Sequence, residues 1–458
     1  MIYARGENYE LRFGKMQDEL ETINENTIDC IVTDPPYELN FMNKGWDNSG
    51  IAFQKETWEH CLRVLKPGGY LLAFGGSRTF HRIACAIEDA GFEIRDTIMW
   101  LYGSGFPKSM DIEKALNKRD GVEFKSKPAS GVGFMNINDD GYHNTINQLE
   151  QIGESSERAK QWQGWGTALK PSFEPIIVAR KPFKGSLVDN IIEYGVGGIN
   201  IDECRVPYGN ETDKRIGTDA VNTSKCGFWS KDKNNGETQM YKDNGRFPAN
   251  TILTYDETDF EEVCGGFPDT KSGSKMSFGS VRKKQPDNCY KLGFTQREYN
   301  DGQNAPDNYG DSGSASRYFY CAKASKKDRD EGLDLIEEKY PASAEYRPSH
   351  MAKALQGENG NPYGRWKPRK NIHPTVKPTD LMQYLIRLVA PKGATVLDCF
   401  MGSGSTGKAV MYENRERQAD YKFIGIEMVE EYLPISKARI EYVCNLPPEE
   451  QVNQISMF

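Results

Sequence analysis

Along the N-terminal part of the chain, apolar runs of strand length alternate with stretches of helical spacing, which predicts a sheet covered by helices. Tyr9, Leu11 and Phe13 mark a short strand, Leu20 and Ile23 a helical turn, and Ile28, Cys30, Ile31 and Val32 a buried strand. A helix is expected over 54–65, ended by Lys66-Pro67-Gly68-Gly69, and then a strand over 70–74. Phe80, Ile83, Ala84 and Ile87 recur at helical spacing over 78–90, Gly91 stops that helix, and 92–102 reads as another strand.

The rhythm then breaks. Residues 106–161 hold a weak helical piece over 110–117 and a polar stretch rich in Gly, Asn and Asp. Regularity returns over 175–180, expected to be the last strand of the sheet and to pair with 92–102, so that the segment between is an insertion. From 183 to 362, Gly, Asn, Asp, Ser and Lys dominate, broken by short apolar pieces such as 251–253. Such a stretch is a loop-rich module or partly disordered. Its aromatic and basic residues are interleaved, as in Phe228, Trp229, Arg246 and Phe247, a composition suited to nucleic acid. From Pro378 the pattern is regular again. Thr379 can cap a helix whose stripe is Leu381, Tyr384, Leu385 and Leu388; a strand at 394–398, a helix, a strand over 423–427 and a helix over 432–443 follow. Strand, helix, strand alternation predicts an α/β fold with a doubly wound, mostly parallel sheet.

Composition narrows the function classes. A chain of 458 residues can bury a large core in more than one domain. Its ten cysteines form no C-x-x-C pair and its five histidines do not cluster, so neither a zinc site nor a disulfide framework is indicated; no metal is expected. No apolar stretch is long enough to span a bilayer and residues 1–14 lack the apolar core of an export signal, so a cytoplasmic location without membrane contact is expected. The net charge of -8 does not exclude a nucleic acid, because phosphate contacts depend on local charge. Residues 360–379 carry Arg365, Lys367, Arg369, Lys370 and Lys377 with no acid, and Arg282, Lys283 and Lys284 form another basic cluster.

Two motifs carry the chemistry. The strand over 28–33 stops at Asp34-Pro35-Pro36-Tyr37. Both prolines have a fixed φ and no N–H, so this corner is stiff and offers oxygen acceptors beside an aromatic face, which suits a planar ring bearing an amine. Far downstream, the strand over 394–398 runs into Gly402, Gly404 and Gly407, and the next strand ends in Glu427. That order suits a nucleotide cofactor laid over a helix N-terminus, with the acid accepting from ribose hydroxyls. Taken alone it would fit a nicotinamide-dependent oxidoreductase, but such an enzyme has no need of Asp34 to Tyr37.

The early Asp34-Pro-Pro-Tyr37, the late Asp398-Cys-Phe400-x-Gly402-x-Gly404 and the preceding His373-Pro-Thr375-Val-Lys377-Pro378 together resemble the S-adenosylmethionine-dependent DNA amino-methyltransferases that act on adenine N6 or cytosine N4. Catalytic motif before cofactor motif is the permuted order of the β group of that family. The likeness is strongest over 8–105, 160–182 and 371–440, and stretches such as 162–171 and 320–325 resemble a phage-type subset with large inserts. The resemblance implies a circularly permuted, Rossmann-like methyltransferase sheet. Residues 1–105 would be its catalytic half, 106–160 an insertion, 161–182 the end of the sheet, 183–364 a target-recognition region and 365–458 the cofactor half. It implies S-adenosylmethionine as cofactor, held by His373, Thr375, Lys377, Asp398, Phe400, Gly402, Gly404, Ser405 and Glu427, with Thr375 and Lys377 at its amino-acid end. It further implies Asp34, Pro35, Pro36 and Tyr37 as the catalytic motif, and methyl transfer to N6 of a flipped adenine in double-stranded DNA. Lys367, Arg369, Lys370 and Arg282 to Lys284 are candidates for phosphate contacts. Where the family usually has an acid after the entry glycine, this chain has Lys15 after Gly14, with Asp18 as a candidate substitute. Cytosine N4 is the alternative target; an amide methyltransferase and an inactive DNA-binding protein are the other classes. A homodimer and a cognate restriction nuclease are left open as partners.

Overall fold

The computed structural model describes residues 1–39, 49–102, 109–122, 124–127, 148–151, 153–207, 245–255, 269–271, 312–314, 319–323, 326–339 and 369–447. Residues 1–200, 250–259 and 321–458 form one compact unit, and residues 201–249 and 260–320 a second.

The N-terminal strands are β1 (Ile2–Arg5), β2 (Tyr9–Phe13), β3 (Ile28–Thr33), β4 (Leu65–Phe74) and β5 (Glu93–Tyr102). A small antiparallel pair, β6 (Phe124–Lys127) and β7 (Gln148–Gln151), stands apart from the main sheet. β8 (Phe173–Arg180) and β9 (Thr251–Tyr255) follow, then β10 (Asp269–Lys271) and β11 (Ser312–Ser314), which pair antiparallel in the second unit. β12 (Tyr320–Lys323), β13 (Thr395–Asp398) and β14 (Lys422–Glu427) complete the set. The main sheet has ten strands in the order β1-β2-β14-β13-β3-β4-β8-β5-β9-β12. β2, β14, β13, β3 and β4 run parallel, as β5 and β9 do, whereas β8 is antiparallel to both β4 and β5.

This order puts β13 and β14, late in sequence, between β2 and β3. Chain order therefore runs outward in opposite directions from the β13/β3 pair, the switch point where α/β sheets form a ligand crevice beyond their strand ends. All six residues of β3 are buried, as its mostly apolar, β-branched-rich composition predicts for a central parallel strand. Its one carboxylate, Asp29, accepts from Lys66 Nζ at 2.6 Å and from the Thr395 N–H at 2.7 Å.

Helices cover the sheet. Residues Lys55–Val64 and Phe80–Asp89 pack through Trp58, Cys61, Val64, Ile83 and Ile87 against Ile28, Ile31, Leu65 and Leu71. Trp58 is fully buried and its indole N–H donates to the Ala52 carbonyl at 3.0 Å, so its only polar group is satisfied inside the core. The helix Thr379–Val389 packs beside Ser405–Arg417, and Leu433–Cys444 closes the C-terminal half.

The structure corrects three expectations. β8 is not the last strand; it lies between β4 and β5, and the sheet continues through β9 and β12. Residues 251–253, read as a stray apolar piece, belong to β9, where Ile252 and Leu253 are fully buried. Thr379 is the first helical residue and not the cap. The Asp328 carboxylate takes over that task from outside the helix, accepting from the Thr379 N–H at 2.8 Å and its hydroxyl at 2.5 Å. Of the polar, glycine-bearing stretch 38–50 after Tyr37, which reads in sequence as a loop over the site, residues 40–48 lie outside the described residues.

Candidate active site

The last residues of β3 and β13 meet at the crevice. Thr33 donates to Asp398 Oδ1 at 2.7 Å, tying the two strand ends together. Beyond Thr33 the chain turns through Asp34, Pro35 and Pro36 to Tyr37, whose carbonyl accepts from the Thr79 hydroxyl at 2.8 Å. One Asp34 oxygen, Oδ2, accepts from Lys377 Nζ at 2.7 Å; the other, Oδ1, is buried and has no partner. Buried carboxylate oxygens are nearly always satisfied, so an orphaned one lining a cavity is an acceptor held ready for a ligand donor.

Lys377 is the centre of a compact charge cluster. Its side chain is 7% exposed, and its ammonium lies 3.5 Å from Glu174 Oε2 as well as on Asp34. The same ammonium stands 5.3 Å from the centroid of the Tyr37 ring and 5.1 Å from that of Phe74, within cation–π range of both. The Tyr37 hydroxyl donates to Glu174 Oε2 at 2.6 Å, and the Tyr102 hydroxyl reaches Glu174 Oε1 at 3.4 Å. Burial pushes the Asp34 carboxyl upward, and the Glu174 charge adds to that push while Lys377 opposes it. Burial alone would lower the Lys377 ammonium, but the two carboxylates more than offset this and its net shift is upward.

On the β13 side, Asp398 is buried under three donors: the Thr33 hydroxyl, the Thr406 hydroxyl at 2.6 Å and the Phe400 N–H at 3.1 Å. Burial nevertheless pushes its carboxyl up to about 6. Gly402 has a φ of +52° and Gly404 one of +74°. At Gly404 a Cβ would also stand 2.9 Å from Ser436 Cα, so both backbone conformation and space call for glycine there. Glu427, at the end of β14, accepts from the Gly402 N–H and the Val429 N–H, each at 2.7 Å, and burial pushes it up to about 7. Ser405 starts the helix Ser405–Arg417, and Arg439 reaches the Ser403 carbonyl at 2.8 Å and the Ser405 hydroxyl at 3.1 Å, bracing the turn from behind.

Both halves line one cavity of about 630 Å³. Asp34, Pro35, Pro36, Tyr37, His373, Thr375, Lys377, Asp398, Phe400, Gly402, Ser405 and Glu427 are on its wall; Gly404 is not, and shapes the turn behind it. His373 stacks edge-on to Tyr432 with centroids 4.7 Å apart, and burial pushes its imidazole down to about 3, so it is neutral at physiological pH. Lys377, which by resemblance holds the amino-acid end of a cofactor, lines the cavity with its ammonium on Asp34 and Glu174, two carboxylates that neutralise its buried charge. Lys15 lines the cavity and the exposed Asp18 does not; Gln17 does, with its Oε1 buried and without a partner. Lys367 and Arg282 to Lys284 lie outside the described residues. Arg369 pairs its backbone with Lys339, and Lys370 Nζ stands 3.6 Å from Asp334.

Sequence reasoning missed Glu174, Gln17 and Asp328. Glu174 left one faint trace, an acid at the head of an otherwise apolar strand.

The family model for N6/N4 methyltransferases, described as DNA methylase, matches residues 28–438. The chain belongs to this family. It is 29% identical over 226 residues to the type II methyltransferase M.HindIII of Haemophilus influenzae, a match covering 40% of this chain and 62% of that protein. It is 36% identical over 96 residues to M.HpaI of Haemophilus parainfluenzae, covering 20% of this chain and 31% of that one. The chain thus spans less than two thirds of the length of each of these relatives. Among solved structures it is similar to the PvuII cytosine-N4-specific DNA methyltransferase, with 13% identity, a TM-score of 0.39, and 98% and 91% of the two chains covered. The M1.HpyAVI complex with S-adenosylmethionine shares 13% identity at a TM-score of 0.33, covering 94% of this chain and 99% of that one. No helix among the described residues is long and apolar enough to cross a membrane.

Proposed function

We propose that the chain transfers a methyl group from S-adenosylmethionine to the exocyclic N6 of an adenine flipped out of duplex DNA. The observation that carries this reading is Asp34 Oδ1, a buried acceptor without a partner, beside Tyr37 in the same cavity as Gly402 and Glu427. The residues fit the cofactor. The cavity's volume falls in the ordinary range for small-ligand sites, roughly 300–1,000 Å³. Glu427 retains lone pairs for ribose hydroxyls, the turn before Ser405 presents a helix N-terminus, and Gln17 Oε1 offers an unused acceptor. When bound, the cofactor supplies a methyl group activated by its sulfonium.

The chain's own residues prepare the other reactant. An exocyclic amine is a weak nucleophile because its lone pair is delocalised into the ring. Asp34 Oδ1 accepts one of its N–H bonds and draws the nitrogen toward tetrahedral geometry, freeing that lone pair for in-line attack. Tyr37 supplies a face for the extruded base, a contact worth about 1–3 kcal/mol. Positioning and electrostatics together supply the rate enhancement, and no covalent nucleophile is needed. Asp34 in place of serine resembles the adenine branch of the family; the same acceptor would serve cytosine N4, which is the second reading.

Methylation-sensitive sequencing of DNA from cells expressing the protein reports base and context together. N6-methyladenine at a defined site is expected; N4-methylcytosine would move the proposal to the second reading. Calorimetry tests the cofactor, and binding of NAD without binding of S-adenosylmethionine would overturn it.

A further inference from the structure

We infer that Glu174 is a positioning residue for transfer, acting through Lys377 and Tyr37 to hold Asp34 with only Oδ1 turned to the substrate. The inference rests on the proposed amine methylation and concerns a residue outside the Asp34 to Tyr37 motif.

The geometry is specific. Lys377 bridges two carboxylates that approach from different parts of the chain, Asp34 beyond β3 and Glu174 on β8. By taking Asp34 Oδ2, the ammonium leaves Oδ1 as the one free acceptor. The Tyr37 hydroxyl sits close to both acids, and Glu174 Oε2 accepts its hydrogen bond at 2.6 Å, while Asp34 Oδ1 is left without a partner. Without Glu174, both the ammonium and the phenol would have Asp34 as their remaining carboxylate. The acceptor meant for the substrate amine would then be taken up by the protein's own donors.

The groups facing Asp34 are few among the described residues. Tyr37 on its own turn, Lys377 from the segment before the helix Thr379–Val389, Glu174 from β8 and Asp398 from β13 act on it directly, while Tyr102 from β5 touches Glu174, and Lys15, the neutral His373 and Glu427 line the same cavity. Glu174 and Lys377 act on Asp34 with opposite signs, the acid favouring its protonated form and the cation its ionised form. Transfer requires Asp34 ionised, so rate falls as pH drops through its titration. Removing Glu174 therefore moves that acidic limb to lower pH, and removing Lys377 moves it to higher pH.

The test is single-turnover methyl transfer to duplex DNA across pH by the full-length protein and its Glu174→Gln, Glu174→Asp, Lys377→Met and Asp34→Ala variants. S-adenosylmethionine binding, followed by calorimetry, serves as the check on folding. Glu174→Gln should bind the cofactor normally, lose about 10- to 100-fold in rate at its optimum through misplacement, and shift its acidic limb to lower pH. Glu174→Asp should restore part of the rate and the original limb. Lys377→Met should shift the limb the opposite way. An unmoved limb in Glu174→Gln, or wild-type rate, overturns the inference, and Glu174→Gln alone decides this should Lys377→Met fail to fold. Near-normal transfer by Asp34→Ala would instead overturn the amine-methylation reading itself.

Discussion

Asp34 and Tyr37 divide the work between an acceptor and a surface. Asp34→Ala should lower single-turnover transfer by about 100-fold or more, the usual loss for one acceptor used in a transition state, while S-adenosylmethionine still binds. Tyr37→Ala should weaken retention of the flipped base. Tyr37→Phe keeps the ring but loses its bond to Glu174, so it should retain much of the activity; its collapse in the same assay would point to an acid role for the hydroxyl. Glu427 offers a test through pH. Its carboxyl is raised from an ordinary 4.5 to about 7, so between those values the folded protein holds a proton that the unfolded chain has released. Stability of the ligand-free protein therefore falls as pH rises through that window, and denaturant midpoints of Glu427→Gln should lose this part of the decline. At this scale the two motifs were legible in the sequence because prolines and glycines announce their geometry. Glu174 and Gln17 were not, because a lone polar residue has no period or spacing that reveals what it will face.

The elements were read best where their apolar period was strongest, as in Phe80–Asp89 and Thr379–Val389. β9 escaped because its buried pair, Ile252 and Leu253, is too short to show alternation, and the place of β8 escaped because strand order is decided by tertiary pairing. A similar tertiary decision caps Thr379–Val389 with Asp328, which also pairs with Lys408 at 2.6 Å; Lys408 and Arg439 are fully buried beside it. Asp328→Ala would leave buried Lys408 with Glu331 alone and take from Arg439 the carboxylate 3.7 Å away, and should lower unfolding free energy by about 3 kcal/mol or more in a denaturant titration. The Asp328 carboxyl is largely buried, yet Lys408 and Arg439 draw it below its ordinary value, so its support is present at neutral pH and lost on acidification. Gly404→Ala should disturb the turn at the cofactor helix through its positive φ and the nearby Ser436, and should weaken S-adenosylmethionine binding without touching Asp34.

For the whole molecule, the acidic total charge makes salt the informative variable. If residues 360–379 meet the DNA backbone, Lys367→Ala, Arg369→Ala and Lys370→Ala should each reduce the slope of log affinity against log salt by about 0.9. Unchanged slope and affinity in the triple variant would make the patch a solvated surface. The sheet order has a further consequence, in time. Thr33 and Asp398, hydrogen-bonded across the centre of the sheet, are 365 residues apart in the chain. At ribosomal speeds of about 5–20 residues per second, β3 waits roughly 20–70 s for β13 after it emerges. Throughout that interval β14 and β13, which separate β2 from β3 in the finished sheet, have not been made, and one edge of β3, a strand that carries Ile28, Cys30, Ile31 and Val32, has no native partner. The nascent chain is therefore most prone to aggregation late in its synthesis, and chaperones that shield extended apolar segments should act on it during that delay.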